Sequence, residues 1–428
     1  MIEKVKNKIK ENNILKNTLI LFSGQSFASI IGIFNTILLI KAIGVDGNGI
    51  IALIMSYSAI FNGVFNFQSY NAVIKYGTDA LEKKIDNLYK QILKQAFLQD
   101  ILTAILAFIV GYLCVGVVSR FMGWDSEIIF YIKIYLITIL MNITGVFTGI
   151  LRLHDKFIVI AKLNVQVNIF RFIFMILGLM LKLPFVYYVV VEIILSGISS
   201  CILICNSIKV LKVAGFCDFL KVSISFDKEF TKFNFYNNIT STIDLPVGQL
   251  VTFIINKFVG VTEVGIYSIL LKLGSIISKI TEPMGQALLP ELSRLVAKDK
   301  IKDAKNIIKK IFIYTNLIGL VAIVILAICS PIWFNLFMPL NYKNLWLFII
   351  YMIYITFISS VTGIHLFFIS VNLVRYNIPI VTLVNIIYVI LVFILVKELG
   401  LFGIILALIL QAAMVVLAKM LVIKKNRI

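Results

Sequence analysis

The chain has 428 residues, 60% of them hydrophobic, with a formal charge of +19 at pH 7 and a mean hydropathy of +1.01. Soluble globular chains hold about 45–50% apolar residues, so this composition excludes an ordinary soluble domain and predicts an all-α integral membrane protein. The charge would point to nucleic acid in a soluble chain. Here Lys and Arg sit mainly between apolar runs, where cytoplasmic loops collect them, so topology accounts for the charge and no nucleic-acid partner is expected.

A helix needs roughly 20 apolar residues to cross a bilayer. Such runs recur twelve times, near 18–42, 49–73, 95–119, 127–150, 160–182, 185–208, 233–258, 263–289, 307–333, 345–370, 376–397 and 401–423. Lys4, Lys6, Lys8 and Lys10 precede the first run, which is too long for a signal-peptide core and has no small-residue cleavage site. It reads as an uncleaved cytoplasmic start. Loops near 75–94, 152–162, 209–232 and 291–310, with the C-terminal Lys424, Lys425 and Arg427, carry most of the remaining basic residues, and the alternate loops carry few. That contrast predicts both termini on the cytoplasmic side. Trp124, Trp333 and Trp346 fall at the opposite ends, and indole rings favour that interface. The basic segments 75–94, 209–232 and 291–310 mix Leu, Val and Ile with Lys, and two readings stand: amphipathic helices lying on an anionic leaflet, or charge that only marks topology.

Sliding the chain by 216 residues brings Gly32 onto Gly248, Thr36 onto Thr252 and Lys41 onto Lys257. Gly44-Val45 then meets Gly260-Val261, and Gly49-Ile50 meets Gly265-Ile266, with no gap. The offset is about half the chain, and each half holds six spans. An even number of spans returns the chain to its starting side, so the halves are parallel repeats about an axis along the membrane normal. The expected architecture is two parallel six-helix lobes, 1–215 and 216–428, around a central cavity. Duplicated bundles of this kind work as transporters, rocking to expose a site between the halves.

Three helices carry polar residues on one face at steps of three and four. These are Thr18, Gln25, Ser29, Gly32 and Thr36; Ser58, Asn62, Asn66 and Ser69; and Asn234, Asn237, Ser241, Asp244, Gly248 and Thr252. Helix packing accounts for the small members. A water-filled cavity accounts better for Asn62, Asn66, Asn237 and Asp244. An ionised residue at mid-membrane costs about 2.5–3.5 kcal/mol on insertion scales, yet Arg171, Lys272 and Lys279 lie inside spans, with Glu282 one turn beyond Lys279. Two readings stand: internal ion pairs with acids such as Asp244, or cations that hold an anionic head group. Arg suits phosphate because its planar fork donates paired hydrogen bonds. The candidate substrate-binding set is Arg171, Lys272, Lys279, Gln25, Asn62, Asn66, Asn237 and Asp244. Pro246 and Pro283 are candidate hinges, since proline frees a backbone carbonyl.

The five cysteines are scattered, and Cys201 and Cys205, one helical turn apart, have no His or acidic residue nearby, which predicts neither a metal site nor a disulfide framework. His154 reads as a solvated loop residue and His365 as a packing residue. Nucleotide-binding and hydrolase motifs are missing from the sequence, and the outer loops are short. The expectation is a non-enzyme without cofactor, driven by an H+ or Na+ gradient or by downstream consumption of its product.

Taken together, "KAIGVDGNGIIALIMSYSAIFNGVFNFQSYNAVIKYGTDALEKK", "GILRLHDKFIVIAKLNVQ", "VGVTEVGIYSILLKLGS" and "EPMGQALLPELSRLVA" resemble bacterial polysaccharide and O-antigen flippases. These belong to the multidrug/oligosaccharidyl-lipid/polysaccharide exporter superfamily, and the resemblance runs in order along essentially the whole chain. It implies a V-shaped pair of lobes with a cationic cavity. The implied cargo is an undecaprenyl-pyrophosphate-linked oligosaccharide, moved from the cytoplasmic to the outer leaflet for surface polysaccharide or lipopolysaccharide assembly. A polysaccharide polymerase is the implied downstream partner. Arg171, Lys272 and Lys279 would meet pyrophosphate and the polar stripes would meet sugar. Many family members carry an acidic residue in helix 7 where this chain has Val251, so Asp244 is not a matched family residue. A cation-coupled multidrug antiporter of the same superfamily is the alternative. The acid that one branch of those antiporters places in helix 1 has no counterpart here.

Overall fold

The computed structural model describes residues 13–223, 225–331 and 342–426. The basic start at Lys4, Lys6, Lys8 and Lys10, and also Trp333 and Arg427, lie outside the described residues, as do the side chains of Thr18, Glu282 and Pro283. The described residues form helices and turns without a strand.

The first helix, α1 (Asn13–Phe65), holds the first two spans, separated where Gly44 leaves helical geometry at φ 74, ψ 177. Next come α2 (Tyr70–Glu82), α3 (Asp86–Met122), α4 (Ser126–Tyr135), α5 (Ile137–Met141), α6 (Gly145–Leu153), α7 (Phe157–Met180) and α8 (Phe185–Ala214). After a turn-rich segment, α9 (Lys228–Thr242) leads into a π-helical turn, Pro246–Leu250, and then α10 (Val251–Phe258). The rest are α11 (Val261–Ala297), α12 (Ile301–Ile328), α13 (Tyr342–Ser370), a 3-10 turn at Val374–Tyr376, α14 (Asn377–Leu399) and α15 (Leu401–Lys425).

Ten stretches of the described residues are long and apolar enough to cross a membrane. Ser23–Glu82 contains the first two spans, and the seventh is cut by the π turn into pieces too short to qualify alone. The twelve-span reading and the all-α membrane fold therefore agree with the structure. The second, fourth and seventh spans, read from sequence as continuous, are broken at 66–69, at 142–144 and at Ile243–Leu250. Hydropathy alone does not register such breaks, because Asn, Ser and Thr interrupt an apolar run only briefly.

The basic segment 291–310 links the end of α11 to the start of α12 through a tight turn at Asp299 (φ 55), and 75–94 links the short helix α2 to α3 through one at Lys84 (φ 56). At 1.5 Å per residue, the 37-residue α3 and α11 each run about 55 Å. That exceeds the roughly 40–45 Å of a whole bilayer, so the amphipathic residues sit on projecting helix ends.

The chain divides into two compact units. The first takes the residues up to Ile31 with Leu53–Leu245, and the second takes Gly32–Ala52 with Pro246–Ile428. The first unit's core centres on Leu93, Ala96, Val146, Ile150 and Phe230. The second packs Ile37 and Ile40 of α1 against Val251, Ile255, Leu270 and Ile404.

Both copies of the repeated motif meet inside the second unit. A Cβ on Gly49 would run into the Val261 carbonyl, and a Cβ on Gly265 would run into the Val45 carbonyl. Gly49 with Gly265, and Val45 with Val261, are the pairs that the 216-residue offset superposes, so the contact is two-fold symmetric. The Thr262 hydroxyl donates to Asp46 at 2.6 Å, and these positions are themselves 216 apart. Asn48 closes the contact by donating to the Gly265 carbonyl (3.3 Å) and to Ser268 Oγ (2.6 Å). Gly260, at φ 134 and ψ 172, breaks its helix as Gly44 does, in backbone geometry that glycine alone adopts cheaply.

Candidate functional site

Two of the broken spans restart at one carboxylate in the first unit. Asp100 on α3, fully buried, accepts from Ser69 N (3.0 Å), Ser69 Oγ (2.9 Å) and Val146 N (2.8 Å). Ser69 leads into α2 and Val146 lies in the first turn of α6, so one acid satisfies amides that helix starts leave unpaired. Gly145 lets the chains close up: a Cβ there would sit 2.6 Å from Asp100 Oδ2 and from Ser69 N. Beside this node, Asn66 Nδ2 donates to Asn62 Oδ1 (3.0 Å) and to the Asn142 carbonyl (3.3 Å), and Asn142 Nδ2 reaches Asn62 Oδ1 at 3.4 Å. One turn back along α1, Ser58 meets Thr138 of α5 at 3.3 Å. The helix-2 stripe is thus a polar seam between α1 and the broken fourth span. The buried Asn66 Oδ1 has no hydrogen-bond partner.

The first half of the seventh span belongs to the same unit. Asp227 caps α9 by accepting from Glu229 N and Phe230 N. Asn234 donates to Gln99, Asn238 to the Val64 carbonyl and Thr242 to the Gly63 carbonyl. These bonds dock α9 on α1 and α3. Asn237 holds a buried Nδ2 with no hydrogen-bond partner. Asp244 lies exposed, just before the π turn that Pro246 opens.

Arg171 is paired, though not with Asp244. Its Nε and Nη2 each donate at 2.8 Å to the two oxygens of Glu192, a bidentate pair between α7 and α8, and Nη1 reaches Asn168. Glu192 is 8% exposed and the Arg171 side chain 25%. A pair this enclosed costs about 3–5 kcal/mol to break from one side. Lys272 is exposed and Lys279 half-buried on α11 in the second unit, while Gln25 is half-buried in the first. The structure therefore gathers Asn62 and Asn66 into one seam and docks α9, with Asn237, against the adjoining end of α1. It sets the Arg171 pair on α7 and α8, and carries the two lysines on another unit.

Sequence reasoning placed Ser69 in a polar stripe but missed Asp100 as a double helix cap, together with Asn142. The signal was present in "FNFQSYN" and "MNITG", where amides, hydroxyls and glycine cluster inside apolar runs. It also missed the bond between Lys419 Nζ and His365 Nδ1 at 2.7 Å, which makes His365 a partnered residue, and Lys419 is only 5% exposed. His154, expected in solvent, is half-buried and meets the Tyr89 hydroxyl at 3.3 Å. Burial, and then Lys156, lower its pKa below the usual histidine value. Among the described residues, no group of three His, Cys, Asp or Glu side chains could hold a metal ion.

The fold has counterparts among solved structures. A multidrug resistance MATE family transporter of the MOP superfamily, in an inward-facing conformation, matches with a TM-score of 0.71 at 12% identity, covering 93% of this chain and 94% of that one. The lipid II flippase MurJ in an inward closed conformation matches with a TM-score of 0.68 at 16% identity, over 95% of this chain and 87% of that one. Residues 14–296 match the family model described as "Polysaccharide biosynthesis protein", and the chain belongs to that family. Family and fold together define an all-α membrane protein of polysaccharide biosynthesis. The inner membrane protein YghQ of Escherichia coli (strain K12) is 24% identical over 148 residues, which are 35% of this chain and 42% of that protein. The matched stretch thus spans less than half the length of this relative.

Proposed function

We propose that the protein is a flippase. It carries an undecaprenyl-pyrophosphate-linked oligosaccharide from the cytoplasmic to the outer leaflet of a bacterial inner membrane by alternating access, for surface polysaccharide assembly such as O-antigen. The family match over residues 14–296 carries this reading. Supporting it are the 216-residue repeat, the two-fold contact at Gly49 and Gly265, and amide-rich helix faces suited to sugar hydroxyls. In this account both termini are cytoplasmic. Lys272 and Lys279 supply charge for pyrophosphate, Gln25, Asn62, Asn66, Asn237 and Asp244 supply polar contacts, and Arg171 contributes once Glu192 releases it. A polymerase that consumes the flipped unit, or an H+ or Na+ gradient, drives net flux.

The rival antiporter needs a titratable carboxylate open to a cation. Asp100 is committed to three donors and Glu192 to Arg171, which leaves the exposed Asp244 as the carboxylate for that chemistry. The test uses purified full-length protein in proteoliposomes loaded with a short undecaprenyl-pyrophosphate-linked oligosaccharide. Glycan access to a lectin added outside should rise faster with the protein than without it. Unchanged access, with cation-dependent efflux of a cationic dye, would favour the antiporter.

A further inference from the structure

The first unit contains a cavity of about 640 Å³ lined by none of the candidate substrate-binding residues. One wall is a stripe of α8: Gly197, Ser200, Cys201, Ile204, Ile208 and Leu211. Phe97 and Ile101 of α3 form the opposite wall. The end wall is Leu140, Met141 and Ile143, at the break in the fourth span. The lining is almost wholly apolar, and its volume lies within the roughly 300–1,000 Å³ of ordinary ligand sites.

The turn after α8 makes the floor. Cys217, Phe219 and Leu220 line the cavity there, and three contacts hold the turn in place. Lys90 pairs with Asp218 at 2.8 Å, Lys94 donates to the Val222 carbonyl at 2.7 Å, and Phe219 packs edge-on against Phe97 at 6.3 Å. From Gly197 to Leu211 the slot runs about 21 Å along α8 at 1.5 Å per residue. That is one leaflet with its headgroup zone, since the whole bilayer is about 40–45 Å thick. Lys209, Lys212 and Lys221 stand exposed, each next to a residue lining the floor end.

An apolar slot one leaflet deep, with a cationic rim only at its surface end, has the shape and charge of a single anionic lipid. We infer that this slot holds one acyl chain of an anionic phospholipid from the leaflet facing the basic loops, with its phosphate among Lys209, Lys212 and Lys221. The chain tip reaches Met141 and Ile143, beside the break that Asp100 and Asn142 organise. The inference does not depend on the cargo. A C55 polyprenyl chain is longer than one leaflet and fits the slot less well than a phospholipid chain.

Native mass spectrometry of the full chain, delipidated and then supplied with phosphatidylglycerol or phosphatidylcholine, tests this. Wild type should retain one phosphatidylglycerol at least fivefold more than phosphatidylcholine. Cys201→Trp, which fills the slot, should remove that retention, and Lys209→Gln/Lys212→Gln/Lys221→Gln should remove the headgroup preference. Equal retention of both lipids by wild type, or retention unchanged in Cys201→Trp, would overturn the site. Displacement of phosphatidylglycerol by equimolar undecaprenyl phosphate would overturn the assignment to a phospholipid. Should Cys201→Trp fail to fold, a Cys114→Ser/Cys205→Ser/Cys217→Ser/Cys329→Ser protein, which keeps Cys201 as its one cysteine, is alkylated instead. Slowing of that reaction by phosphatidylglycerol supports the site, and an unchanged rate contradicts it.

Discussion

Residues 13–43 run as one unbroken helix to Gly44, whereas the matching stretch from Lys228 is cut at Ile243–Leu250 by the turn that Pro246 opens. Past Gly44 and Gly260 the two copies are alike and pack on each other, Gly49 on the Val261 carbonyl and Gly265 on the Val45 carbonyl. Before those glycines they differ in composition as well as course. One is largely apolar from Leu19 to Ile43, and the other carries Asn234, Asn237, Asn238 and Asp244. The shared Val45/Val261 and Gly49/Gly265 pairs make the symmetric contact. The unshared Asn237 and Asp244 precede the bend, into which the shared Gly248 falls, and π turns inside helices are frequent at functional sites.

The symmetric contact is the part most easily broken. Gly49→Leu and Gly265→Leu each place a side chain against backbone that cannot yield, so each should cost above about 3 kcal/mol, the upper end for overpacking. Thermal unfolding of the purified variants should show losses of similar size, because the environments are equivalent. Gly248 has open space around it, so Gly248→Ala should be neutral or stabilising by up to about 1 kcal/mol. Unequal losses at Gly49 and Gly265 would break the symmetry.

The Arg171–Glu192 pair comes next. Arg171→Ala or Glu192→Ala should cost about 3–5 kcal/mol, and Arg171→Met/Glu192→Met should recover most of it. If the recovered double variant still flips its cargo, the pair is structural. If it is stable but inactive, Arg171 acts on substrate.

Pro246→Ala restores a backbone donor and lets the second copy run straighter, like the first. It should change unfolding temperature little while slowing lipid-linked oligosaccharide flipping in proteoliposomes. Full activity would mean that the bend is incidental.

The smallest effect is at His154, outside the spans. Its pKa is lower in the folded protein than the usual 6.5, so below about pH 6.5 the unfolded chain binds the extra proton and stability falls. Unfolding temperature should drop slightly from pH 7.5 to pH 5.5, and His154→Gln should flatten that part of the slope.

Crossing number and the repeat were legible because both are written in long-range pattern: apolar runs of bilayer length, and glycines at a fixed offset. The interruptions were not. Ser69 and Gly145 look like packing residues until Asp100, more than thirty positions from either, is seen to accept from Ser69 and Val146. A capping contact between distant segments leaves no period in the sequence. Arg171 was legible as a buried cation needing compensation. Its partner was not, because Glu192 sits 21 residues away across a helical hairpin and sequence gives no rotational register between neighbouring helices. Lys419 and His365 stayed hidden for the same reason, 54 residues apart.

The most direct test of the flippase reading is to deplete the protein from its cells and extract the lipid-linked oligosaccharides. The account predicts that a pyrophosphoryl-linked repeat unit accumulates facing the cytoplasm while surface glycan is lost. Normal surface glycan without accumulation, together with new sensitivity to cationic compounds, would contradict it.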